Sequence, residues 1–466
     1  MRSCLYWLCI VFICSCGQQI PPTGGPRDSL PPKLVLAEPA MGAKNFKGNK
    51  ITLFFDEYVA LENPFEKLTY SPLPKSNPNA ESKLRSVTIK IKDTLEENTT
   101  YSIDFGQALK DINEGNILKD FHYEFSTGPY LDSAFLTGHI ILAQTGGVDS
   151  TLIVVLHRNL DDSAVAKEKP RYFTRLKGDG SFLFRNLKPG SYGIFGLKDQ
   201  NGDRKYDQPS ELIAFNDRPL QVGSDTSLLL YAFEAERVDT NPVVKKPTVT
   251  AKSSDRNADD KRLRLTNNLD GIKQDLMKKF ILRSEQPLKQ FDTSKLFFGD
   301  ATFNRLEVGI SLDSTAKEIT LSHTWKENTR YSLIQGKEMA MDTLGNFFTK
   351  ADTLVFSTKR IADYGSINLI IENLDTALHP IVIFMKSGKE QYRQKLGKQQ
   401  YRIELIDPGD YDVHIHFDAN NNNKWDTGDY WKKMQPEIIV ARKKPISIRA
   451  NWDNEVLIDL KLINEQ

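Results

Sequence analysis

Asn98-Thr99-Thr100-Tyr101-Ser102 opens a passage that this chain contains twice. An Asp111…Gly115-Asn116 turn follows it, and the passage closes on Phe125-Ser126-Thr127. In the second half the same order reads Asn328-Thr329-Arg330-Tyr331-Ser332, Asp342…Gly345-Asn346 and Phe356-Ser357-Thr358. An internal repeat is read before any single motif, because it defines the unit of the fold. Around these anchors lie short runs rich in β-branched and aromatic residues, such as Ile51-Thr52-Leu53-Phe54-Phe55 and Val87-Thr88-Ile89-Lys90-Ile91. Apolar residues alternate with polar ones in these runs, as half-buried strands require. Turn residues cut the runs at short intervals, the spacing of small sandwiches.

A second pair of passages follows the first. Leu187-Lys188-Pro189-Gly190-Ser191-Tyr192 is matched by Ile406-Asp407-Pro408-Gly409-Asp410-Tyr411. The chain is therefore module A, module B, module A, module B. The predicted fold class is all-β, a tandem of four β-sandwiches behind a signal peptide. The expected organisation is a signal peptide at 1–15, a tether at 16–30, a first module A at 31–128 and a first module B at 132–236. A linker with a divergent second module A covers 237–360, and the second module B covers 364–462. Val243 to Thr250 is a candidate first strand for the second module A. Helical periodicity is scarce, with Asp270 to Phe280 and Lys337 to Met341 as the candidate short helices.

Module A resembles the bacterial Ig-like domain of S-layer and surface proteins of the SbsA type. Pro32-Lys33-Leu34-Val35, Pro39…Gly42, Ile51 to Phe55 with Asp56-Glu57, and Asn98-Thr99-Thr100-Tyr101 carry the resemblance. The front of the second copy, around 240–300, departs from it. Module B resembles the transthyretin-like or carboxypeptidase-regulatory-like sandwich, through the Gly178-Asp179-Gly180 hairpin, Phe182, Phe184 and Pro189-Gly190-x-Tyr192. The resemblance implies that Tyr192 packs on the core beside the inner strand. It also implies an extracellular, non-catalytic module, although fold alone does not fix function.

The N-terminus sets the compartment. Arg2 precedes the apolar run from Leu5 to Ile13, which is shorter than the ~20 residues needed to span a bilayer and has the flanks of a signal peptide. Ser15 and Cys16 follow, then Gly17-Gln18-Gln19 and Pro21-Pro22-Thr23-Gly24-Gly25-Pro26. This resembles a bacterial lipobox with its tether, and the proline-glycine stretch is similar to lipoproteins of the Bacteroidetes. The resemblance implies a lipid on Cys16; the alternative is an ordinary signal peptide cut nearby. Cys14 stands where the family has Ala or Ser. The chain's four cysteines, Cys4, Cys9, Cys14 and Cys16, all lie in this segment, so the mature chain has no intrachain disulfide and no cysteine metal site. A net charge of +1 with interspersed signs argues against a nucleic-acid partner.

One pair of loops carries candidate chemistry. Asp199, Asn201, Asp203, Lys205 and Asp207 alternate along the first; Asp418, Asn420, Asn422, Lys424 and Asp426 match them in the second. Side-chain oxygens at alternate positions, with the backbone carbonyl of Lys205 or Lys424, can converge on Ca²⁺, which takes six to eight oxygens. Arg204 and Asn423 sit where such loops place glycine, and the twelfth position holds Ser210 or Asp429. The alternative is an Asx-rich turn that caps its own backbone. A bound calcium would be structural. His414 and His416 share a strand face with Asp412 and Asp418, and either pair up for a transition metal or are ordinary strand residues. Trp425, Tyr430 and Trp431 form either a carbohydrate platform or a packed satellite core. No hydrolase elbow, zinc helix, phosphate loop or dinucleotide fingerprint occurs. The expectation is a non-catalytic outer-membrane lipoprotein that binds or scaffolds an envelope partner; the alternative is a carbohydrate- or cell-wall-binding surface protein. The lack of an acidic run after Cys16 points to the periplasmic side.

Overall fold

The computed structural model describes residues 27–208, 210–223, 227–235 and 262–461. The signal peptide, Cys16 and the candidate strand Val243 to Thr250 lie outside them. The regular structure of the described residues is almost entirely strand, arranged as tandem β-sandwiches. It divides into two compact units: one runs to Ile140 and takes in Val148–Ala232, and the other holds Ile141–Gly147 and the chain from Phe233 onward.

In the first unit, a four-stranded sheet has the order Leu34–Glu38, Lys50–Phe55, Ser86–Lys90, Asn79–Lys83. It faces a three-stranded sheet of Thr69–Ser71, Thr100–Asp104 and His122–Ser126. Strand Lys50–Phe55 shows why the alternation matters: Ile51, Leu53 and Phe55 are buried, while the residues between them are not. These three join Val87, Ile89, Ile103, Phe105, Tyr123 and Phe125 in one core. Val59–Leu61 and Leu109–Asp111 pair beside them, and the module that follows is one connected sheet, in the order Tyr172–Arg175, Ile153–His157, Gly190–Leu197, Leu212–Phe215, Ser227–Glu234, Ala134–Leu142, Ser181–Leu187, with Leu220–Val222 paired to Gly190–Leu197 off this path.

The second unit repeats the plan. Leu265–Asn267, Phe280–Ser284, Glu318–Ser322 and Gly309–Leu312 follow the strand order of the first module's four-stranded sheet. The front of this module departs in sequence and not in strand order. Its opposing sheet contains Leu296–Asp300, Arg330–Gln335 and Asp352–Thr358, with Lys273–Gln274 added in parallel at the edge. The last module pairs a three-stranded with a five-stranded sheet, and Ile367, Leu369, Val382, Phe384, Val413 and Ile415 pack between them.

Neither candidate helix forms. Gly271 takes φ +62°, and Phe280, Leu282 and Ser284 are buried at every second position, a strand period. Pairing of Phe280 with Leu321 in the sheet core overrides the local pattern. Glu338 at φ +56° breaks the second candidate, and Ala340–Asp342 pairs with Leu288–Phe291.

Candidate functional site

The repeated motifs resolve first into turns. Asn98 and Asn328 both sit in the left-handed region, at φ 48° and 47°, which asparagine tolerates better than most residues. Each leads into a threonine whose N–H donates to the hydroxyl of the closing threonine, Thr99 to Thr127 at 3.0 Å and Thr329 to Thr358 at 2.9 Å. Tyr101 then stacks on Phe125 and Tyr331 on Phe356, with centroids 5.4 and 5.9 Å apart. Asp111 accepts the N–H groups of Glu114, Gly115 and Asn116; Asp342 accepts those of Leu344 and Asn346. The Pro-Gly-x-Tyr passages work alike: the Tyr192 hydroxyl donates to the Lys188 carbonyl at 2.8 Å and that of Tyr411 to the Asp407 carbonyl at 2.7 Å.

The Asp/Asn loops leave the ends of strands Gly190–Leu197 and Gly409–Phe417. Asp199 Oδ1 accepts from Gly202 and Asp203 and Oδ2 from Arg204, at 2.8 to 3.1 Å. Asp418 accepts from Asn422 and Asn423 at 3.0 and 2.9 Å. Arg204 and Asn423 take φ +62° and +67°, the conformation that glycine would supply. Asn201 and Asp203 bond the N–H groups of Asp203 and Lys205, and Asn420 and Asn422 those of Asn422 and Lys424. The ammonium of Lys205 reaches the Lys167 carbonyl. In the second loop the side-chain amides of Asn420 and Asn422 both reach Asp426 Oδ2, each at 2.6 Å, so three side chains point at one centre. In the first, only Asn201 approaches Asp207, at 3.4 Å. Among the described residues, no group of three or more His, Cys, Asp or Glu side chains is placed to hold a metal ion.

Two glutamates escaped the sequence reading. Glu211 is 1% exposed and closes the first loop from beneath, its Oε2 accepting from Asp207 and Gln208 at 3.3 Å. Burial pushes its carboxyl up, against the pull of those N–H donors. Glu437 closes the second, accepting from Asp426 N–H at 3.1 Å and lying 2.8 Å from His416 Nε2. Its Oε1 is buried with no hydrogen-bond partner. Beside it, Asp418 is fully buried, and Lys395 Nζ stands 3.8 Å away. The signal was present: Glu211-Leu212-Ile213 and Glu437-Ile438-Ile439 each open the strand after the loop. Asp429, the candidate twelfth-position acid, instead accepts the N–H groups of Trp431 and Lys432.

The remaining candidates separate. His416 is buried against Glu437, and burial pushes His414 below the usual imidazole range. Trp425 donates its indole N–H to the Glu437 carbonyl at 2.7 Å, and Tyr430 is buried, whereas Trp431 is exposed. Asp56 Oδ1 accepts from Lys33 N–H at 2.7 Å. A cavity of about 120 Å³ lies among Tyr70, Pro72, Pro74, Leu95, Tyr101 and Arg171. That is below the ~300–1,000 Å³ of ordinary ligand sites.

Within each unit, charged groups tie module A to module B. In the first, the Arg171 guanidinium grips both carboxylate oxygens of Glu96, and Asn186 Nδ2 donates to Glu124 Oε2 at 2.5 Å. In the second, Lys359 and Lys278 reach opposite oxygens of Asp407 at 3.0 and 3.3 Å. Burial works against ionising Asp407, but Lys359 and then Lys278 outweigh it and hold the carboxyl below the usual range.

Residues 28–127 match the family model described as bacterial Ig-like domain. This is a domain of cell-surface type, and it stands where the first module folds. No curated protein matches the chain. Among solved structures, the chain is similar to native alpha-2-macroglobulin from Escherichia coli, at 14% identity and TM-score 0.19 over 38% of this chain and 70% of that one. It is also similar to the Bacillus anthracis TIE protein, at 11% and 0.18 over 94% and 76%. A third is the major pilin subunit of Bacillus cereus, at 10% and 0.16 over 70% and 98%. Scores this low carry no argument about this chain.

Proposed function

We propose that this chain is a non-catalytic lipoprotein of the outer membrane, anchored through Cys16, that binds or scaffolds an envelope partner. The observation that supports it most is the fate of the repeated polar motifs. Asp111, Asp199, Tyr192 and their counterparts each bond a backbone group of their own turn, and the hydroxyls of Thr127 and Thr358 accept the backbone N–H groups of Thr99 and Thr329. The chemistry that the sequence offers twice therefore goes into holding rigid sandwiches. Ion pairs then lock A to B within each unit. The test is to purify the chain with a C-terminal tag from outer membranes and identify its companions. Hydrolase activity lost on substituting a single residue would overturn the reading.

The second reading is glycan or cell-wall binding, supported by the exposure of Trp431 beside the buried Tyr430, with rings 5.1 Å apart. A cell-wall pull-down that fails with Trp431→Ala and not with Trp425→Phe would favour it.

The Asp/Asn loops enter this reading as structural calcium sites. The second has three convergent side chains, the buried Asp418 and the unpartnered Glu437 Oε1. Amide oxygens of Asn420 and Asn422 turned inward would replace the N–H contacts now made to Asp426. A bound Ca²⁺ would stiffen a long loop in a domain without disulfides.

A further inference from the structure

Leu30, Tyr58, Leu84 and Ile112 are 56%, 45%, 64% and 57% exposed, and they crowd one pole of the first Ig-like module. Backbone hydrogen bonds hold them side by side. Ile112 N–H donates to the Tyr58 carbonyl at 3.1 Å, and Val59 N–H to the Leu84 carbonyl at 2.9 Å. The Arg85 guanidinium lies 5.3 Å from the centre of the Tyr58 ring. The segment carrying Leu30 is clamped to the loop carrying Ile112: Arg27 donates to the Glu114 carbonyl, and Asn116 to the Asp28 carbonyl.

Leu84 is held there against its own preference. It occupies the first position of the two-residue turn between Asn79–Lys83 and Ser86–Lys90, at φ +53°. Such a turn favours glycine at that position. An exposed leucine in a left-handed turn has neither a packing nor a backbone reason, and outliers of this kind concentrate at functional surfaces.

The pole is also where the chain arrives. Strand Leu34–Glu38 starts beside it, with Asp56 N–H bonded to the Lys33 carbonyl. The closing strand His122–Ser126 begins next to Phe121, whose ring lies 6.0 Å from that of Phe55, and runs away from it. Counted along the sequence, Cys16 lies eleven residues before Arg27. Eleven extended residues reach at most about 40 Å. A lipid on Cys16 would keep this pole within one tether length of the bilayer.

We propose that this pole docks on the lipid surface in which Cys16 is anchored, with Leu84, Ile112, Tyr58 and Leu30 entering the boundary between headgroups and acyl chains. The proposal rests on the lipoprotein reading. Tyrosine suits a boundary that is apolar at one end and wet at the other. Around the pole the carboxylates of Asp28, Asp56, Glu57, Asp111 and Glu114 outnumber the cations Arg27, Lys33 and Arg85. Apolar insertion therefore drives the docking, rather than attraction to anionic headgroups.

The mature chain keeps no cysteine but Cys16, so Leu84→Cys or Ile112→Cys introduces a single reactive thiol for an environment-sensitive fluorophore. Lys47→Cys places the same probe at the opposite pole, where the neighbouring Phe46 N–H bonds Ser126. The full lipidated protein is reconstituted in phosphatidylcholine vesicles, and the mass of its N-terminal peptide is measured. Probes at 84 and 112 should blue-shift, brighten and be quenched by brominated acyl chains, equally with and without phosphatidylglycerol; the probe at 47 should not change. Leu84→Gly should raise the unfolding midpoint by relieving the turn, yet weaken quenching of the probe at 112. An acylated Cys16 with no change at 84 or 112 would overturn the docking and leave the anchor standing. An unacylated Cys16 would overturn both.

Discussion

Glu437 lies 2.8 Å from His416 across the buried floor of the Asp418 loop, and its second oxygen faces the interior with no partner. The same oxygen that meets His416 also accepts the Asp426 N–H at 3.1 Å. Glu437→Ala would leave a buried imidazole and a backbone donor unmatched. It is expected to destabilise the last module by about 2–3 kcal/mol, since a buried polar group left unpaired costs about 1–3 kcal/mol. Urea unfolding followed by tryptophan emission measures it, as Trp425 rests on the Glu437 carbonyl.

Calcium at the loops is tested by calorimetry. Heat on titrating Ca²⁺ into the wild type is expected to vanish in Asp418→Ala combined with Asp199→Ala. It should fall sharply in Glu437→Gln alone. No heat at millimolar Ca²⁺ would return both loops to self-capped turns.

His157 gives a pH prediction with a fixed sign. Burial pushes its imidazole from 6.5 down to about 4, and its Nε2 has no hydrogen-bond partner. A folded pKa below the unfolded one means that the unfolded chain binds the proton more readily. Stability is therefore full above the unfolded value of 6.5 and falls as pH drops toward 4. The loss is expected to reach about 3 kcal/mol, at roughly 1.4 kcal/mol per pKa unit. His157→Leu should flatten the dependence across that window, read as denaturant midpoints from pH 7 to pH 4.5.

Asp407 adds an acid-side prediction in the second unit. Its folded carboxyl sits below the usual range, so the stability it contributes is present above the unfolded value of 3.8 and lost as pH falls through the folded one. Asp407→Asn leaves Lys359 and Lys278 facing a neutral partner. The junction should loosen at neutral pH, with faster amide hydrogen exchange at Leu276, whose N–H now bonds the Tyr364 hydroxyl at 2.8 Å.

Much of the fold was legible because a strand of a sandwich records its burial in its own sequence. Ile51, Leu53 and Phe55 alternate with their outward neighbours, and the Tyr101–Phe125 pair recurs as Tyr331–Phe356. The stretch from Asp270 to Phe280 misled because its apolar residues are few and Gly271 carries the turn; only the register with Leu321 makes Phe280 a strand residue. The loops were legible as loops, since Asp199 and Asp418 bond the backbone a few residues ahead. Their glutamates were harder to see, because Glu211 and Glu437 act across four and eleven residues, and only their shared place before the strand that follows the loop marks them. The apolar pole was equally hidden: Leu30, Tyr58, Leu84 and Ile112 come from four separate stretches of the chain.

The central claim is an anchored, non-catalytic subunit, and co-purification tests it most directly. The chain, tagged at its C-terminus and extracted from outer membranes in mild detergent, is expected to bring down an envelope protein in stoichiometric amount. Recovery of the chain alone, from the soluble fraction and without a lipid on Cys16, would contradict the account.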